Sequence, residues 1–549
     1  MPERTRHIIL FVASLTMVFV LNGTAQTGDG LSADALRRHM LTLAHDSLQG
    51  RAVGSPGIQA AAEYLRAELE RYGVAPLPSL PSYFQTFPVH GSRAGEESDL
   101  RLFAPRDAYA LRLQEDYVLF SSGAQTFIPL PARMVFVGYG IIAPEYDYND
   151  YRDIDVRNAV VVFLTGEPRS DDDTYFDGER STVHAEFTLK QRIALARGAR
   201  GSVLLPNPND RSLDDWYEQQ RHFRFEEMRP VVTPSENFNA MLNPKLGPFL
   251  FSQAPYSYDD VTAFDRQGTM RSFDLPMMVS FQGRFIERDV PASNVIGVID
   301  GSDPVLRGSY VLLTAHYDHL GVGPAAEGDS VYNGLVDNAS GTAALLELAR
   351  VLQRERNGLR RSVLIAFLTG EERGFLGSQY YCLHPPVPLY RTAANVNIDG
   401  LSLFERVRSV IGIGAELSTL GETLDRALEG SGVTREELPP DLFRPDQFRK
   451  SDQFLFAQAG IPSLLVAEGL RYETTAYAAG LERYAAWSDS VYHSPKDDAL
   501  QPLNFDAALQ HTGIIRRLVL RLANDDAVPE WRPGVIFRQE RLRTNAERR

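Results

Sequence analysis

The stretch YVLLTAHYDHLG, residues 310–321, joins a short apolar run to closely spaced polar side chains. YVLLTA is typical of a buried strand, and NVIGVI, SVLIAFL, ANVNI, SVIGIG and PSLLVA are further runs of this kind. Amphipathic helical segments lie between them, such as Ser340 to Leu352. Strand–helix alternation predicts an α/β fold with a largely parallel sheet that is covered on both faces.

Acidic and His side chains follow these runs where the predicted strands end. His316 and Asp318 follow YVLLTA, the pair Glu371-Glu372 follows SVLIAFL, and Asp399 follows ANVNI. Ligand sites in such sheets gather beyond the carboxyl ends of the strands. Nitrogen and oxygen donors without thiolates suit zinc or another divalent transition metal. The pattern therefore predicts a metal site at this edge.

Each of these residues also has a simpler interpretation when it is taken alone. His-x-Asp sequences are common, and a structural role is the better interpretation of His316 by itself. Asp337 precedes a predicted helix and could be an N-cap. His493, in VYHSPKDD, could be a surface His.

The combination favours a hydrolytic centre with two metals. Glu371 and Glu372 repel each other, and a cation beside them would relieve that repulsion while one of them stays free to move protons. Two His and three carboxylates exceed the ligands of a single catalytic zinc and fit two metals that share a carboxylate. The chain contains neither HExxH nor GxSxG, so single-zinc zincins and serine hydrolases lack their motifs.

Length and composition limit the remaining possibilities. A chain of 549 residues is expected to form two or more domains. The net charge is −15 and no Lys/Arg-rich block precedes the C-terminus, which argues against nucleic-acid binding. Cys382 is the only Cys, so intramolecular disulfides are impossible.

The N-terminus has the pattern of a secretory signal peptide, residues 1–25. Arg4 and Arg6 precede an apolar run from Ile8 to Leu21, and small residues follow up to Ala25. A membrane anchor is the alternative, but the run is shorter than the ~20 residues that span a bilayer. We therefore expect export to the periplasm or the extracellular space, without a stable membrane anchor.

The rest of the chain divides into four predicted parts. They are residues 31–114, the N-terminal part of the main domain; 115–285, an inserted β-rich accessory domain; 290–525, the catalytic α/β domain; and 526–549, a basic tail. SPGIQAAAEYLRAELERYG in the first part predicts a helix with Ser55 as its N-cap and Gly73 at its end. The inserted part could instead simply cover the catalytic face.

Six motifs together resemble one family. AHYDHLG, DNASG, EERGFLGS, NIDG, SDQFLFAQAGIPSLLV and YHSPKDD occur in the order found in the co-catalytic di-zinc aminopeptidases, whose family includes bacterial leucyl aminopeptidases, glutamate carboxypeptidase and glutaminyl cyclase. The resemblance covers residues 290–525, and LQGRAVGSPG resembles the family's N-terminal segment. It implies a three-layer sandwich with a mixed, mostly parallel central sheet. The middle region resembles a protease-associated domain.

The resemblance also implies a role for each site residue. The metal ligands would be His316, Asp337, Glu372, Asp399 and His493, and the catalytic residues Glu371, Tyr492 and Asp318. Asp337 would bridge two zinc ions, with His316 and Asp399 on one and Glu372 and His493 on the other. Glu371 would be the general base, while Asp318 would orient a ligand without binding metal itself. Tyr492 would bind the oxyanion, and the peptide bond after Asp337 would be cis.

The implied activity is that of a secreted metal-dependent exopeptidase acting on peptides, most simply an aminopeptidase. A dipeptidase or a glutamate-carboxypeptidase-like enzyme would need cationic side chains near the metals, for which Arg444, Arg449 and Lys450 are candidates. A glutaminyl cyclase would need one metal only, and a receptor-like binding protein on the same fold would have lost ligands. Gln453 stands where many family members have His, which affects the substrate pocket rather than the metal ligands.

Overall fold

The computed structural model describes residues 30–121, 125–172, 174–178, 181–209, 212–231, 237–437 and 447–548. The predicted signal peptide lies outside these ranges. None of the helices formed by these residues is long and apolar enough to cross a membrane.

Strands follow one another from residue 75 to residue 164, and helices and strands alternate mainly between residues 341 and 468. The helices are α1 (Ala33–Leu43), α2 (Pro56–Tyr72), α3 (Phe187–Ala196), α4 (Ser212–His222), α5 (Gly247–Leu250), α6 (Tyr258–Gln267), α7 (Gly341–Arg354), α8 (Leu376–Leu383), α9 (Leu420–Leu428), α10 (Gln453–Gln458), α11 (Tyr477–Ser490), α12 (Phe505–Asn524) and α13 (Phe537–Ala546). The strands are β1 (Ala75–Pro76), β2 (Phe84–Ala94), β3 (Asp99–Phe103), β4 (Ala108–Leu111), β5 (Tyr117–Leu119), β6 (Gln125–Val137), β7 (Ile142–Ala143), β8 (Tyr148–Asn149), β9 (Val160–Leu164), β10 (Gly201–Leu205), β11 (Glu227–Pro230), β12 (Phe238–Leu242), β13 (Ser272–Ile299), β14 (Tyr310–His316), β15 (Gly321–Ala326), β16 (Asp329–Tyr332), β17 (Ser362–Leu368), β18 (Thr392–Asn397), β19 (Ser409–Ile413), β20 (Thr434–Glu436) and β21 (Ser463–Glu468).

The central sheet is built around β14. It pairs in parallel with β17 on one side and β18 on the other, and β18 continues in parallel to β21. Towards the two edges the pairing becomes antiparallel: β13 pairs with β17 in the antiparallel direction, and β19 pairs with β21 in the same way. The predicted α/β class with a mixed, mostly parallel sheet is confirmed.

Helices cover both faces of this sheet, and the side chains of β14 show how. Val311 and Leu313 join the core under α1, α2, α7 and α12, while the intervening Leu312 joins a second core with Tyr381 of α8 and Phe456 of α10. Alternate side chains of a strand point to opposite faces, so an uninterrupted apolar run needs two such cores. The molecule therefore has three layers here.

A second sheet is joined to the first by the long strand β13. Its first half pairs with β3 and β6, and its later residues pair with β2 and then with β17. Parallel strands β6, β9, β10 and β12 continue the second sheet, which encloses its own core with Phe136, Val162 and Phe281. Strands β3 and β4 also lie in this sheet. The division at residues 115 and 285, and the likeness to a protease-associated domain, stay predictions.

The helix predicted in the N-terminal part is present as α2. Ser55 accepts a hydrogen bond from the backbone N–H of Ile58, and Gly73 ends the helix in the left-handed conformation at φ 76°. Both ends follow from residue type, since a Ser hydroxyl satisfies a free N–H and glycine adopts positive φ without a steric penalty.

Candidate metal centre

The strand ends bring the predicted site residues to one edge of the central sheet. His316 ends β14, Glu371 and Glu372 form a short turn of 3-10 helix after β17, and Asp399 follows β18. Asp337 reaches the same place from the irregular turn before α7, a turn that the helix-cap interpretation did not foresee.

Asp337 lies between two imidazoles. Its Oδ1 is 3.2 Å from His316 Nε2, and its Oδ2 is 3.1 Å from His493 Nε2. His316 Nε2 is also 3.2 Å from Asp399 Oδ1, and His493 Nε2 is 3.2 Å from Glu372 Oε2. Two groups of nitrogen and oxygen donors thus share one carboxylate.

The charges of these buried groups act on one another. Burial acts to raise the pKa of the Asp337 carboxyl, but hydrogen bonds from His316 and His493 hold that pKa well below its usual range. Burial acts to lower the pKa of His316, yet the charges of Asp399 and Glu371 raise it well above the ordinary value. The buried carboxylates therefore favour positive charge beside them at these distances. Divalent cations bring the same sign of charge, and the nitrogen and oxygen donors without thiolates fit zinc.

The match to known proteins covers this same region. A sequence model of peptidase family M28 matches residues 294–519, which include every strand end of the site and His493. This segment is therefore similar to peptidase family M28. The resemblance inferred from the motifs is confirmed.

Individual relatives are more distant. Aminopeptidase YwaD of Bacillus subtilis is 31% identical over 173 residues, which are 31% of this chain and 34% of that protein. A probable glutamate carboxypeptidase of maize is 25% identical over 89% of this chain and 67% of its own length. The match thus spans about a third of the Bacillus protein's length.

A solved structure shares the overall fold. The aminopeptidase from Aneurinibacillus sp. strain AM-1 superposes with a TM-score of 0.57, over 92% of this chain and 96% of that one. The two are 17% identical, so the likeness concerns the fold.

Glu371 stands apart from both donor groups of the M28 centre. Burial raises the pKa of its carboxyl well above the ordinary value; the His316 charge opposes this, and the Asp399 charge adds to it. Its backbone N–H and that of Glu372 donate to the Asp318 carboxylate at 3.2 and 3.3 Å. Asp318 is fully buried and its Oδ1 lies 3.7 Å from His316 Nδ1. It thus holds the Glu371 turn and His316 together.

Tyr492 lies at the open side of the centre. Its ring stacks on that of His493, with the centroids 3.8 Å apart, and 40% of the residue's surface is exposed. The ring of Trp487, in α11, is tilted against that of Tyr492, with the centroids 5.7 Å apart. The hydroxyl therefore belongs to a side chain that solvent and a ligand can reach.

Sequence reasoning missed two residues. His319 is buried, its Nδ1 lies 2.7 Å from Glu372 Oε1, and with Asp337 and Glu372 it forms a group of donors close enough together to hold a metal ion. Asp497 is also buried and accepts hydrogen bonds from the backbone N–H groups of Val336 and Asp337 at 2.9 and 3.0 Å. Both lie inside quoted motifs, AHYDHLG and YHSPKDD, and that position is the one signal that could have found them.

Asn338 fixes the turn that carries Asp337. Its side-chain amide donates to the Ile398 carbonyl at 2.9 Å, and its Oδ1 accepts from the N–H groups of Gly341 and Gly400 at 3.0 and 2.9 Å. The peptide bond between Asp337 and Asn338 is cis, as the resemblance implied.

The structure describes three of the four residues that the sequence analysis connected with substrate binding. Gln453 is buried, accepts from the Asn397 amide at 3.0 Å and donates to the Phe448 carbonyl at 2.9 Å, so its own amide is bonded within the fold. Arg449 and Lys450 are exposed. Arg444 lies outside the described residues.

The segment between α4 and β11 contacts residues next to the metal centre. Phe225, just after α4, packs edge-on against Tyr332 with the ring centroids 4.9 Å apart. The Arg373 guanidinium, next to Glu372, lies 5.4 Å from the Phe225 ring centroid. Phe225, which lies within the predicted insert, therefore packs beside the turn that carries Glu372.

Proposed function

We propose that this protein is a zinc-dependent exopeptidase, and an aminopeptidase in the first place. The observation that carries the proposal is Asp337, whose two oxygens face His316 and His493. That arrangement suits two cations that share one carboxylate.

The proposed ligands follow from the two donor groups. His316 and Asp399 would hold one zinc, Glu372 and His493 the other, and Asp337 would lie between them. Zinc bound there supplies Lewis-acid polarisation of a peptide carbonyl and a water nucleophile at neutral pH.

Glu371 is the proposed general base. It follows the same strand as Glu372 but belongs to neither donor group, so its carboxylate is free to accept a proton from the attacking water and to deliver one to the departing amine. Tyr492, partly exposed beside His493, would donate a hydrogen bond to the oxyanion. Asp318 would hold His316 and the Glu371 turn in their positions relative to each other.

A free N-terminal amine is the proposed recognition element of the substrate. The carboxylates of Glu371 and Asp399 face a positively charged group more favourably than a negative one, and the net charge of −15 acts in the same direction. The test compares aminoacyl-p-nitroanilides with their N-acetyl derivatives, with and without a chelator. Hydrolysis of the free amines alone, abolished by the chelator, is expected. Equal hydrolysis of both series would contradict an aminopeptidase.

A glutamate-carboxypeptidase-like activity is the second candidate, because the maize relative with that name matches 89% of this chain. It would require a cation near the peptide carboxylate, for which Arg449 and Lys450 are the described candidates. Cleavage of N-acetylated dipeptides with a C-terminal Glu, and loss of that cleavage in Arg449→Ala, would favour it.

Export is proposed from residues 4–25, whose charged start, apolar run and small residues match a signal peptide. Fractionation of cells expressing the full chain tests this. A shortened product in the periplasm or medium is expected, and an uncut product in the cytoplasm would contradict it.

A further inference from the structure

Arg51, in the LQGRAVGSPG segment, is a fully buried cation behind the metal centre. All four of its hydrogen bonds go to main-chain carbonyls. Nε donates to Tyr317 at 2.8 Å, Nη1 to Leu43 at 2.6 Å and to Asn333 at 2.7 Å, and Nη2 to Gly334 at 3.0 Å. The planar guanidinium thus joins three separate segments of chain in one fixed geometry.

The local backbone is shaped to bring this side chain inward. Gln49, Gly50 and Arg51 all adopt left-handed conformations, at φ 49°, 63° and 52°. Glycine is required at position 50, since a Cβ there would lie 2.4 Å from the Tyr332 carbonyl oxygen. Left-handed backbone is unfavourable for Gln and Arg, so surrounding contacts must hold it in place.

Three of the four carbonyls that Arg51 binds lie in the two loops that carry proposed ligands, and the fourth, of Leu43, ends α1. Tyr317 follows His316 directly, and Gly334 precedes Asp337 by three residues. The Arg51 carbonyl also accepts from the His319 N–H at 3.3 Å. Arg51 therefore fixes the separation between the loop after β14 and the loop before α7.

We propose that Arg51 is a positioning residue for the metal centre. It holds the loop after His316 and the loop before Asp337 at the separation that two cations sharing the Asp337 carboxylate require. This inference rests on the proposed zinc function. Partners that orient ligands from outside the coordination sphere commonly change metal affinity by about 10- to 100-fold when they are altered.

Charge and geometry have opposite effects at this position. Burial lowers the pKa of Arg51 to about 10, and the Asp318, Asp497 and Asp337 charges oppose that change, so the group stays cationic at neutral pH. A nearby cation disfavours metal binding by Coulomb repulsion, whereas the carbonyl bonds favour it by holding the loops. Arg51→Lys keeps the charge and removes the planar fork, and it isolates the geometric effect.

Arg361 provides a matched control. It is also buried, and it donates to the main-chain carbonyls of Leu522, Asp525 and Asp526 at the far end of β17. Arg361→Lys makes the same chemical change away from the centre, so it reports the general cost of altering a buried guanidinium.

The experiment is a zinc titration of metal-free protein against a chelator of known affinity, with thermal unfolding of each metal-free variant alongside. We expect the zinc Kd of Arg51→Lys to rise about 10- to 100-fold, and that of Arg361→Lys to stay within about twofold of wild type. An unchanged Kd in Arg51→Lys, or an equal rise in both variants, would overturn the inference. A wild type that binds no zinc would instead overturn the proposed function.

A milder variant covers the case in which Arg51→Lys does not fold. The Asn333 side-chain amide donates to the Ala44 carbonyl and to Asp46 Oδ1, both at 2.8 Å, and ties the same loop to the N-terminal segment. Asn333→Ala keeps Arg51 and loosens the loop. A several-fold rise in zinc Kd is expected, and an unchanged Kd would count against the proposal.

Discussion

Glu371 and Glu372 are adjacent in sequence, yet the structure predicts that the same substitution has different effects at the two positions. Glu372 holds one imidazole at each oxygen, with His319 Nδ1 at 2.7 Å and His493 Nε2 at 3.2 Å. Glu371 belongs to neither donor group. Glu371→Gln should therefore remove proton transfer and leave metal binding intact, whereas Glu372→Gln should remove metal binding.

The magnitudes follow from these contacts. A positioned general base contributes about 10²- to 10⁴-fold, so kcat of Glu371→Gln should fall by that factor, or about 3 to 5 kcal/mol in the barrier. In Glu372→Gln one oxygen becomes an NH2 group that faces an imidazole, and the ligand's charge is lost. Its zinc affinity should fall by at least about 100-fold, the upper end of what loss of a supporting partner costs.

The assay measures kcat on an aminoacyl-p-nitroanilide and zinc content after dialysis for both variants. Backbone bonds to Asp318 are kept in each, so the turn should stay folded, which circular dichroism checks. More than one-tenth of the wild-type kcat in Glu371→Gln would refute the assignment of the base. Loss of zinc from Glu371→Gln to the same extent as from Glu372→Gln would refute the division of roles.

Three further predictions concern the support of the centre and the core. Asp497→Asn should raise the zinc Kd about 10- to 100-fold, because an amide offers one acceptor where the carboxylate receives two backbone N–H groups, and Asp498→Asn should not. Leu345→Ala, in the buried face of α7, should lower the free energy of unfolding by about 2–5 kcal/mol in urea titrations, while Leu542→Ala, 60% exposed, should change it little. The metal-free protein should lose stability between pH 6.5 and 4 through His511, and His511→Asn should flatten that dependence.

The His511 prediction depends on its hydrogen bonds. Nδ1 accepts from the Ser402 N–H at 3.0 Å and Nε2 donates to the Val466 carbonyl at 3.1 Å, so the folded state holds a neutral ring, and burial lowers its pKa to about 4. The unfolded His, with a pKa of about 6.5, binds more protons in this window, so stability falls as pH falls. At pH 5 the effect is on the order of 2 kcal/mol. Parallel stability–pH curves for wild type and variant would contradict it.

For Asp497 and Leu345 the contrary results are equally direct. An Asp497→Asn protein with wild-type zinc affinity would show that the backbone bonds to the Asp337 turn do not orient the site. Equal losses of stability in the Leu345 and Leu542 variants would show that α7 does not contribute to the core as described.

The central sheet could be predicted because its strands are uninterrupted apolar runs with polar residues at their ends. Such runs are stable only between two layers, and their carboxyl ends meet at one edge. The amino-acid pattern alone therefore predicts that His316, Glu371 and Asp399 lie near one another, and the M28 motifs add His493.

Other features of the site could not be predicted from local sequence patterns. His319 and Asp497 act through contacts with Glu372 and with the Asp337 turn, and nothing in their sequence neighbourhood specifies those partners. Asp337 looked like a helix cap because only tertiary structure brings His316 and His493 to its two oxygens. The length of β13 could not be predicted either, since its burial alternates in the second sheet and becomes continuous from Asn294 to Ile299.

Zinc titration of the metal-free wild-type chain, followed by native mass spectrometry, tests the shared-carboxylate centre most directly. The structure predicts two zinc ions per chain, and at most one bound with comparable affinity in Asp337→Asn, because the carboxylate common to both groups is lost. Binding of a single ion by wild type, or of two ions with unchanged affinity by Asp337→Asn, would contradict the account.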